Sequence, residues 1–376
     1  MMFLKRLSDA FEEAQEVALG LANALEREVD DLADEIDDTV QIRFPQETGT
    51  LRGKTDAQRA ENARALAQEI NADVVIYGVV EVSGLAAVIT PEFYVDDSDF
   101  VPGAEVIGQY RMGREIQLDK VDNRSLRNDV EEILEKRFCV LIFLVNGLSD
   151  YVVGEYGDAE TSFSRALEIE AWGTPDVIYV LLGNAALQQR ELERAEGHFS
   201  EALNANPEYA RAYAGLAAVF LQQSTPDVQR GTYDFDVELL DRAFDYYQRA
   251  LNSEDQSPLA NVPTNVSFGV GDVYIRKALV EGQVGNEEAR QQYYGLARQA
   301  YRSVVQDYEA GNVRLQEIAA HAHARLGLVS AQNGQLEAAI AEYEQALDLL
   351  PNYGRSKEYR ALYQEILDEL RGSTSE

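Results

Sequence analysis

Cysteine, histidine and long apolar runs are scarce in this chain, and each scarcity excludes a class of site. Cys139 is the only cysteine among 376 residues, so neither an intramolecular disulfide nor a thiolate cluster can form. Two of the three histidines, His321 and His323, project about 200° apart on a predicted helix and cannot share a metal ion. The apolar run around Cys139 is too short to span a bilayer, and no apolar segment of secretory length follows the basic start. We therefore expect no cofactor, no metal site and no membrane insertion.

Basic residues are also in short supply. The chain has 66 Asp and Glu against 33 Lys and Arg, only 6 of them lysines, which leaves a formal net charge of −33. A field of this sign repels nucleic acid and anionic membranes, so partners of those classes are not expected. The acidic surface indicates either a solubility device or adaptation to high salt, where screening removes the self-repulsion of an acidic shell. The chain as given is predicted to be cytoplasmic, or to be the soluble part of a larger anchored protein.

A spaced pattern of small and aromatic residues organises the later part of the chain. It is clearest in residues 177–207, where adjacent Leu and Gly are followed by Ala, an aromatic residue, Ala and Pro. The positions are Leu182, Gly183, Ala195, Phe199, Ala202 and Pro207. Small residues at these offsets let two antiparallel helices touch, the aromatic ring fills the gap between neighbouring hairpins, and proline ends the second helix. One such hairpin cannot bury its apolar face alone, so copies are expected on both sides.

The pattern recurs in four further copies. One without a gap has Leu326, Gly327, Ala339, Tyr343, Ala346 and Pro351, and one with alanine in place of proline has Gly147, Ala159, Phe163, Ala166 and Ala171. Two are stretched by fourteen residues: Ala217 precedes Ala243, Tyr247 and Ala250, and Gly271 precedes Ala297, Tyr301 and Val304. Insertions in repeat arrays map to loops on one face, so residues 224–235 and 281–292 are predicted either to shape a private pocket or only to extend helices.

In these offsets the chain resembles the tetratricopeptide repeat family, over residues 140–371. The resemblance implies an all-α solenoid of five hairpins, at about 140–173, 176–209, 210–257, 264–310 and 320–353, followed by a capping helix. In that family the first helices line a concave groove that receives peptides or extended segments of partner proteins. The side chains expected in this groove are Asn184, Gln188, Arg211, Gln222, Asn265, Asp272, Arg276 and Gln332. Asn184 matches a residue with which chaperone-binding members hold a C-terminal carboxylate, but Val180 replaces their lysine, so a chaperone tail is not expected.

The first third of the chain has the pattern of a small α/β domain. Apolar residues recur at helical steps in residues 8–36 and 56–70. Apolar runs predict strands at 40–44, 72–82, 85–95 and 114–118, with the continuous run of 72–82 buried on both sides. Its residues Ala72, Asp73, Val74, Val75 and Gly78 are similar to a signature of small α/β domains in bacterial envelope proteins, such as TolB and the curli-secretion and penicillin-binding-protein-activator lipoproteins. That resemblance implies an architecture rather than an activity.

Motifs that would support catalysis are weak. The glycines of residues 49–55 and 269–272 lack the spacing or the leading strand of a phosphate-binding loop, and Gly271 is better explained as a helix-contact glycine. Asp96, Asp97 and Asp99 follow a predicted strand and are the least implausible acids for catalysis, although an exposed turn is the simpler interpretation. No nucleophile pattern accompanies them. We therefore expect a protein without enzymatic activity.

Together these patterns predict an α+β N-terminal domain at residues 1–128, with a small sheet covered by helices. Five tetratricopeptide hairpins follow at 129–355, then a capping helix at 356–371 and a loose tail at 372–376, and a polar-faced cap predicts a natural chain end. The expected function is a non-enzymatic scaffold that holds a partner protein or peptide in the groove. The alternative is a sensor, whose α/β domain binds a small ligand and signals through the array.

Overall fold

A computed structural model of the chain describes most of residues 51–373. The described residues are 51, 53–72, 74–83, 86–96, 106–111, 113–118, 125–169, 175–225, 235–253, 261–312, 315–350 and 356–373. They form two compact units, one that holds the sheet and the chain up to Ala185, and one that begins at Ala186 and holds the later helices. The predicted helix at 8–36 and the predicted strand at 40–44 lie outside the described residues.

The first unit opens with one helix and an antiparallel sheet. The elements are α1 (Asp56–Ile70), β1 (Val74–Ser83), β2 (Ala86–Val95), β3 (Gly108–Arg111) and β4 (Ile116–Leu118). Helix α1 has the predicted bounds, because Thr55 caps its start by accepting a hydrogen bond from the backbone N–H of Gln58 at 3.2 Å and Asn71 ends it in a left-handed conformation. Strand β2 pairs with β1, β3 and β4 and is the central strand of the described sheet.

The two faces of strand β1 differ in burial. Helix α1 packs on the face of Val75 and Tyr94, where both side chains are buried together with Ala63 and Ala67. On the other face of β1, Ile76 is 41% exposed. The prediction that this strand is buried on both sides is therefore wrong at Ile76. A continuous apolar run shows that a residue tolerates burial, but the layers that pack on the strand decide whether it is buried.

Three helices follow the sheet in the chain, and the last of them extends past Ala185, where the first unit ends. They are α2 (Ser125–Val153), α3 (Tyr156–Glu168) and α4 (Asp176–Gln188). Helices α2 and α3 contact each other and correspond to the first predicted hairpin. Gly154 lies between them, with a backbone φ of +90°. Gly147 lies against Phe163 so closely that a Cβ atom at this glycine would be 2.5 Å from the aromatic ring. The close approach of the two helices at a small residue is the contact that the spacing predicts, but the aromatic ring lies within one hairpin here rather than between neighbouring hairpins.

The second unit is a stack of helical hairpins. Its helices are α5 (Leu192–Ala205), α6 (Ala210–Gln223), α7 (Val237–Asn252), α8 (Val262–Gln283), α9 (Glu287–Glu309), α10 (Gln316–Gln332), α11 (Leu336–Leu349) and α12 (Ser356–Ser373). From α5 onward each helix contacts the next, and the first helices of neighbouring hairpins, α6, α8 and α10, also contact one another in order. Contacts between neighbouring hairpins are typical of an α-solenoid.

Aromatic rings of the second helices pack against glycines of the first helices. Tyr301 in α9 lies against Gly271 in α8, within one hairpin, and a Cβ atom at Gly271 would be 2.6 Å from the ring. Tyr247 in α7 lies in the same way against Gly269, in the hairpin that follows. The prediction that Gly271 is a helix-contact glycine is confirmed. The Tyr301 ring thus packs within one hairpin, whereas the Tyr247 ring, at the same repeat position, packs against the next hairpin.

The stretched fourth hairpin is built from long helices. Helix α8 has 22 residues and α9 has 23, and only three residues join them, so the extra residues around 281–292 extend helices rather than form a loop. Residues 226–234, in the other predicted insertion, lie outside the described residues.

Helix α12 covers the last hairpin. Its Tyr363 and Leu367 belong to a buried cluster with Tyr343 and Leu347. Arg360 donates hydrogen bonds of 2.6 Å to the carbonyl oxygens of Leu347 and Leu350, at the C-terminal end of α11, where cations are favoured. The helix extends to Ser373, two residues beyond the predicted cap.

Candidate functional site

Charge is divided unequally between the first and second helices of the second unit. Helices α6, α8 and α10 carry three acidic and four basic residues. These are Asp272, Glu281 and Glu317, and Arg211, Arg276, Lys277 and Arg325. Helices α5, α7, α9 and α11 carry fourteen acidic and six basic residues. The acidic surplus thus lies on the second helices, whereas the surface formed by α6, α8 and α10, the first-helix face, is close to neutral.

The residues predicted for the groove differ in exposure. Asn184 and Arg211 are buried, at 7% and 6% exposed, Gln222 and Gln332 are exposed, and Gln188, Asn265, Asp272 and Arg276 are half-buried. Asn184 belongs to the first unit and the other seven to the second. That a partner contacts these residues stays a prediction. Solvent reaches the exposed and the half-buried members of this set.

Asp272 is the centre of a polar cluster on the first-helix face. Its Oδ1 atom accepts hydrogen bonds from the Tyr301 hydroxyl at 2.5 Å and from Arg325 Nε at 2.8 Å. Burial alone would raise the pKa of Asp272, but the charge of Arg325, the hydrogen bond from Tyr301 and the charge of Arg276 hold this pKa below its usual range. Asp272 in turn raises the pKa of Arg325. The carboxylate and the guanidinium therefore both stay ionised at neutral pH.

Arg276 lies one turn further along α8 and reaches the preceding hairpin. Its Nη1 atom donates to the carbonyl oxygen of Leu221 and, at 3.0 Å, to the Ser224 hydroxyl, at the C-terminal end of α6. Burial lowers the pKa of Arg276, Asp272 raises it, and Arg325 lowers it. We call Asp272, Arg276, Tyr301 and Arg325 the Asp272 cluster. It connects three successive hairpins through charged hydrogen bonds.

Two members of this cluster are not among the predicted groove residues. Tyr301 is assigned from the sequence only to hairpin packing, and Arg325 is not assigned at all. A signal for Arg325 is present, however. It lies two residues before Gly327, whereas glycine occupies the equivalent positions in the two preceding repeats, at Gly215 and Gly269. Arginine in place of this glycine makes the repeat chemically different from the two before it.

The histidines of α10 contact different helices. His321 Nδ1 lies 2.8 Å from the Tyr363 hydroxyl, and its ring lies edge-on to Tyr359, both in α12. His323 Nδ1 lies 2.7 Å from Glu342 Oε2 in α11. Burial and then the charge of Arg325 lower the pKa of His321 to about 4, while Asp272 opposes them. Within the described ranges there is no group of three or more His, Cys, Asp or Glu residues that could hold a metal ion.

A second polar cluster lies between α1 and the sheet. Arg59 donates from Nε and Nη2 to the two carboxylate oxygens of Glu92, both at 2.9 Å, and from Nη2 to Asp56 at 2.6 Å. Tyr77 is paired with Glu92 across the strands, and its buried hydroxyl has no hydrogen-bond partner among the described residues. The buried Oε1 atom of Gln109 likewise has none there.

The acidic residues after β2 begin with a buried side chain, although an exposed turn is expected from the sequence. Asp96 is fully buried at the end of the central strand, so the expectation of an exposed turn is wrong at this residue. A buried carboxylate needs local partners, which a solvated turn would not supply. Asp97 and Asp99 lie outside the described residues.

Part of the helical region matches a known repeat family. Residues 320–353 match the family model described as Tetratricopeptide repeat. Similar solved structures include TTC0263, a thermophilic TPR protein of Thermus thermophilus, at 18% identity, with 60% of this chain and 98% of that chain covered and a TM-score of 0.39. Yeast Tom70 is 16% identical, with 68% and 45% covered and a TM-score of 0.43. YrrB, described as a TPR protein with an unusual peptide-binding site, is 17% identical, with 62% and 98% covered and a TM-score of 0.30.

No curated protein matches the chain. Of the helices that the structure describes, none combines the length and the apolar character needed to cross a bilayer. The match at residues 320–353 coincides with α10 and α11, whose contact glycine and aromatic residue are Gly327 and Tyr343. The chain thus contains a tetratricopeptide repeat at residues 320–353, within an α-solenoid that a small antiparallel sheet precedes.

Proposed function

We propose that this protein is an interaction scaffold whose first-helix face binds a partner protein or peptide. Tetratricopeptide-repeat proteins are in general scaffolds for protein interactions. The observation that carries the proposal for this face is its lack of surplus acidic charge, in a chain of net charge −33. An acidic surface keeps a protein soluble and separate from its neighbours. A face without surplus acidic charge is suited to close approach by another chain.

The accessible polar groups of this face also suit a peptide backbone. Gln222 and Gln332 are exposed and Asn265 is half-buried, on α6, α10 and α8 respectively. A side-chain amide both donates and accepts hydrogen bonds, which are the two needs of a peptide group in an extended segment. Such contacts hold a segment without selecting its side chains. Selection then depends on the charged groups of the same face.

The structure argues against testing this face by reversing the charges of Arg211 and Arg276. Arg211 is 6% exposed, and Arg276 holds the end of α6 through Leu221 and Ser224. A glutamate at either place would bury a carboxylate without its partners, and lost binding would then only report lost folding. The exposed glutamines are better positions, because surface substitutions usually change stability by no more than about 0.5 kcal/mol.

The test uses two double variants with the same added charge. Partners would be isolated from native lysate with the wild type and identified, and their affinity would then be measured for each variant. Gln222→Glu with Gln332→Glu changes the first-helix face, and Gln248→Glu with Gln345→Glu changes exposed positions of α7 and α11. We expect the first pair to weaken binding about tenfold or more and the second pair to leave it unchanged. Equal effects of both pairs, or none from the first, would contradict the proposal.

A second candidate function, a ligand sensor, is favoured by two buried polar atoms in the sheet. The Tyr77 hydroxyl and Gln109 Oε1 are buried without a hydrogen bond in the described region. Each such atom costs about 1–3 kcal/mol unless a partner is supplied. We propose as the alternative that a small polar ligand supplies it and that the array passes the bound state to a partner. Thermal-shift screening of the full chain against metabolites tests this: a ligand that stabilises the wild type should stabilise Tyr77→Phe less.

A further inference from the structure

Three titratable side chains follow one another along the same face of α10. Glu317, His321 and Arg325 are spaced by four residues, so each lies about one helical turn from the next. Glu317 and Arg325 carry opposite charges, and His321 lies between them. The two ends of this row are bonded to other helices, Glu317 to α12 and Arg325 to α8. The row therefore connects α12 to the Asp272 cluster.

The first two members of the row hold α12 on α10. Glu317 Oε1 accepts a hydrogen bond of 2.7 Å from the hydroxyl of Ser356, which is buried at the start of α12. His321 Nδ1 lies 2.8 Å from the Tyr363 hydroxyl, and the Tyr359 ring lies edge-on to the imidazole with the ring centroids 4.6 Å apart. The His321 side chain is only 20% exposed, so a positive charge on it would be poorly hydrated while α12 is docked.

The ion pair of Arg325 with Asp272 acts on the proton affinity of His321. Burial first, and then the positive charge of Arg325, lower the pKa of His321, whereas the negative charge of Asp272 raises it. Arg325 Nε donates to Asp272 Oδ1 at 2.8 Å, so the two opposing charges are held together. The titratable or charged groups that face His321 from α8, α10 and α12 are Asp272, Glu317, Arg325, Tyr359 and Tyr363.

Helix α12 covers an apolar surface at the end of the stack. Its Tyr363 is buried against Tyr343 and Leu347 of α11. If His321 took up a proton while α12 stayed docked, it would be a poorly hydrated cation one helical turn from the cationic Arg325, and both conditions are unfavourable. In a released state, in which α12 no longer packs on α10 and α11, water can hydrate that charge. Protonation of His321 therefore favours release, and release uncovers Tyr343 and Leu347.

We propose that α12 is a pH-sensitive switch that closes the end of the repeat stack: protonation of His321 releases α12, and the ion pair of Asp272 with Arg325 sets how acidic the solution must be. Packing of the repeat does not require this arginine. Glycine occupies its position in the two preceding repeats, at Gly215 and Gly269, and both glycines lie against aromatic rings. The arginine occurs in the repeat on which α12 docks, one turn from the histidine that contacts α12.

The experiment follows the histidine signals of the full-length protein by NMR as the pH is lowered. The chain has three histidines, and the signal that disappears in His321→Gln belongs to His321. In the wild type this signal should titrate with a pKa of about 4, well below the ordinary 6.5. The docked state then loses stability as the pH falls from 6.5 toward 4, because the released state binds the proton more readily.

Hydrogen exchange reports the release itself. Between about pH 7 and about pH 5, exchange of the α12 amides, corrected for intrinsic rates, should accelerate by up to about twentyfold in the wild type. A His321 signal that titrates near 6.5, or α12 exchange that does not respond to pH, would overturn the proposal. Both measurements use the wild type, so they decide the question even if a variant does not fold.

Two variants should move the His321 titration in opposite directions. Arg325→Gln removes the neighbouring positive charge and should raise the pKa of His321. Asp272→Asn keeps a hydrogen-bond acceptor for Arg325 but removes the negative charge, and it should lower this pKa. Arg302→Gln, which removes an exposed arginine of α9, should leave the pKa unchanged and is the matched control. A general loosening of the fold would hydrate His321 and raise its pKa in both variants, so a rise in Asp272→Asn would overturn the role of the ion pair.

Discussion

The sheet region and the repeat region bury different kinds of residue. Between α1 and β2 the packing contains a charged pair, Arg59 and Glu92, at 9% and 1% exposed. In the repeats the helices meet through glycine and aromatic rings, as at Gly271 and Tyr301, and most charge lies on the second helices. The helices of the repeats are therefore held together by glycine and aromatic side chains that fit each other at a fixed sequence spacing. Other side chains on the first-helix face can differ without breaking these contacts. The sheet region depends on one specific polar pairing.

The largest effect is expected from breaking that pairing with Glu92→Gln. It leaves the Arg59 guanidinium with only Asp56, whose side chain is half exposed, as an anionic partner, and the loss of the buried carboxylate should cost up to about 3 kcal/mol. Hydrogen exchange in β1 and β2 and urea unfolding would measure the loss. The control is Glu61→Gln, which breaks a more exposed pair with Arg64 on the same helix and should cost less than about 1 kcal/mol. Similar losses in both variants would show that the sheet region does not depend on the buried pair.

Two alanine substitutions in the repeats should change stability by smaller amounts, one by destabilising the hairpin and the other by stabilising it. Gly271→Ala places a Cβ atom 2.6 Å from the Tyr301 ring and should destabilise the fourth hairpin by about 1–3 kcal/mol. Gly295→Ala, in α9 of the same hairpin, has nothing within 4 Å of the new atom and should stabilise it by about 0.5–1 kcal/mol. Thermal and urea unfolding distinguish the two. If Gly271→Ala is also stabilising, shape is not what limits this contact.

The capping helix should weaken in mild acid, through His321. Its pKa is about 4 in the fold, depressed by burial and by Arg325, and 6.5 ordinarily. The unfolded state therefore binds a proton more readily, and the stability associated with neutral His321 is complete above pH 6.5 and falls as pH drops toward 4. The loss is on the order of 2 kcal/mol at about pH 5.

Hydrogen exchange of α12 at about pH 7 and about pH 5, corrected for intrinsic rates, measures this change. The titratable or charged groups facing His321 are Glu317, Asp272, Arg325, Tyr359 and Tyr363. In His321→Gln the difference between the two pH values should shrink, because the titrating group is gone. An unchanged difference would assign the pH dependence to the carboxylates instead.

The smallest change in stability per residue is expected when the salt concentration is raised. Exposed charges contribute no more than about 1 kcal/mol each, but the chain has a net charge of −33, and like charges repel on acidic surfaces such as those of the second helices. Raising the KCl concentration from low to molar should therefore increase the unfolding temperature gradually. A temperature that does not rise would remove the interpretation of the acidic surface as an adaptation to salt.

Much of the local structure could be predicted because its causes are close in sequence. The bounds of α1, the presence of strands β1 and β2 and the role of Gly271 as a helix-contact glycine depend on caps, on apolar runs and on offsets within one hairpin. The charged groups of the candidate site could not be placed in this way. Asp272 and Arg276 are predicted from the sequence to project toward a partner, and the structure shows both of them bonded to neighbouring helices.

By itself, the amino-acid sequence determined that small and aromatic residues at repeated offsets form stacked hairpins, and that the protein carries a large acidic surplus. Only the tertiary structure decided that Asp272 meets Tyr301, 29 residues away, and Arg325, 53 residues away, while Arg276 meets Ser224, 52 residues away. The reason is physical: helical periodicity orients a side chain relative to its own helix, whereas a hydrogen bond between hairpins depends on how far each helix extends and on which neighbour it packs against.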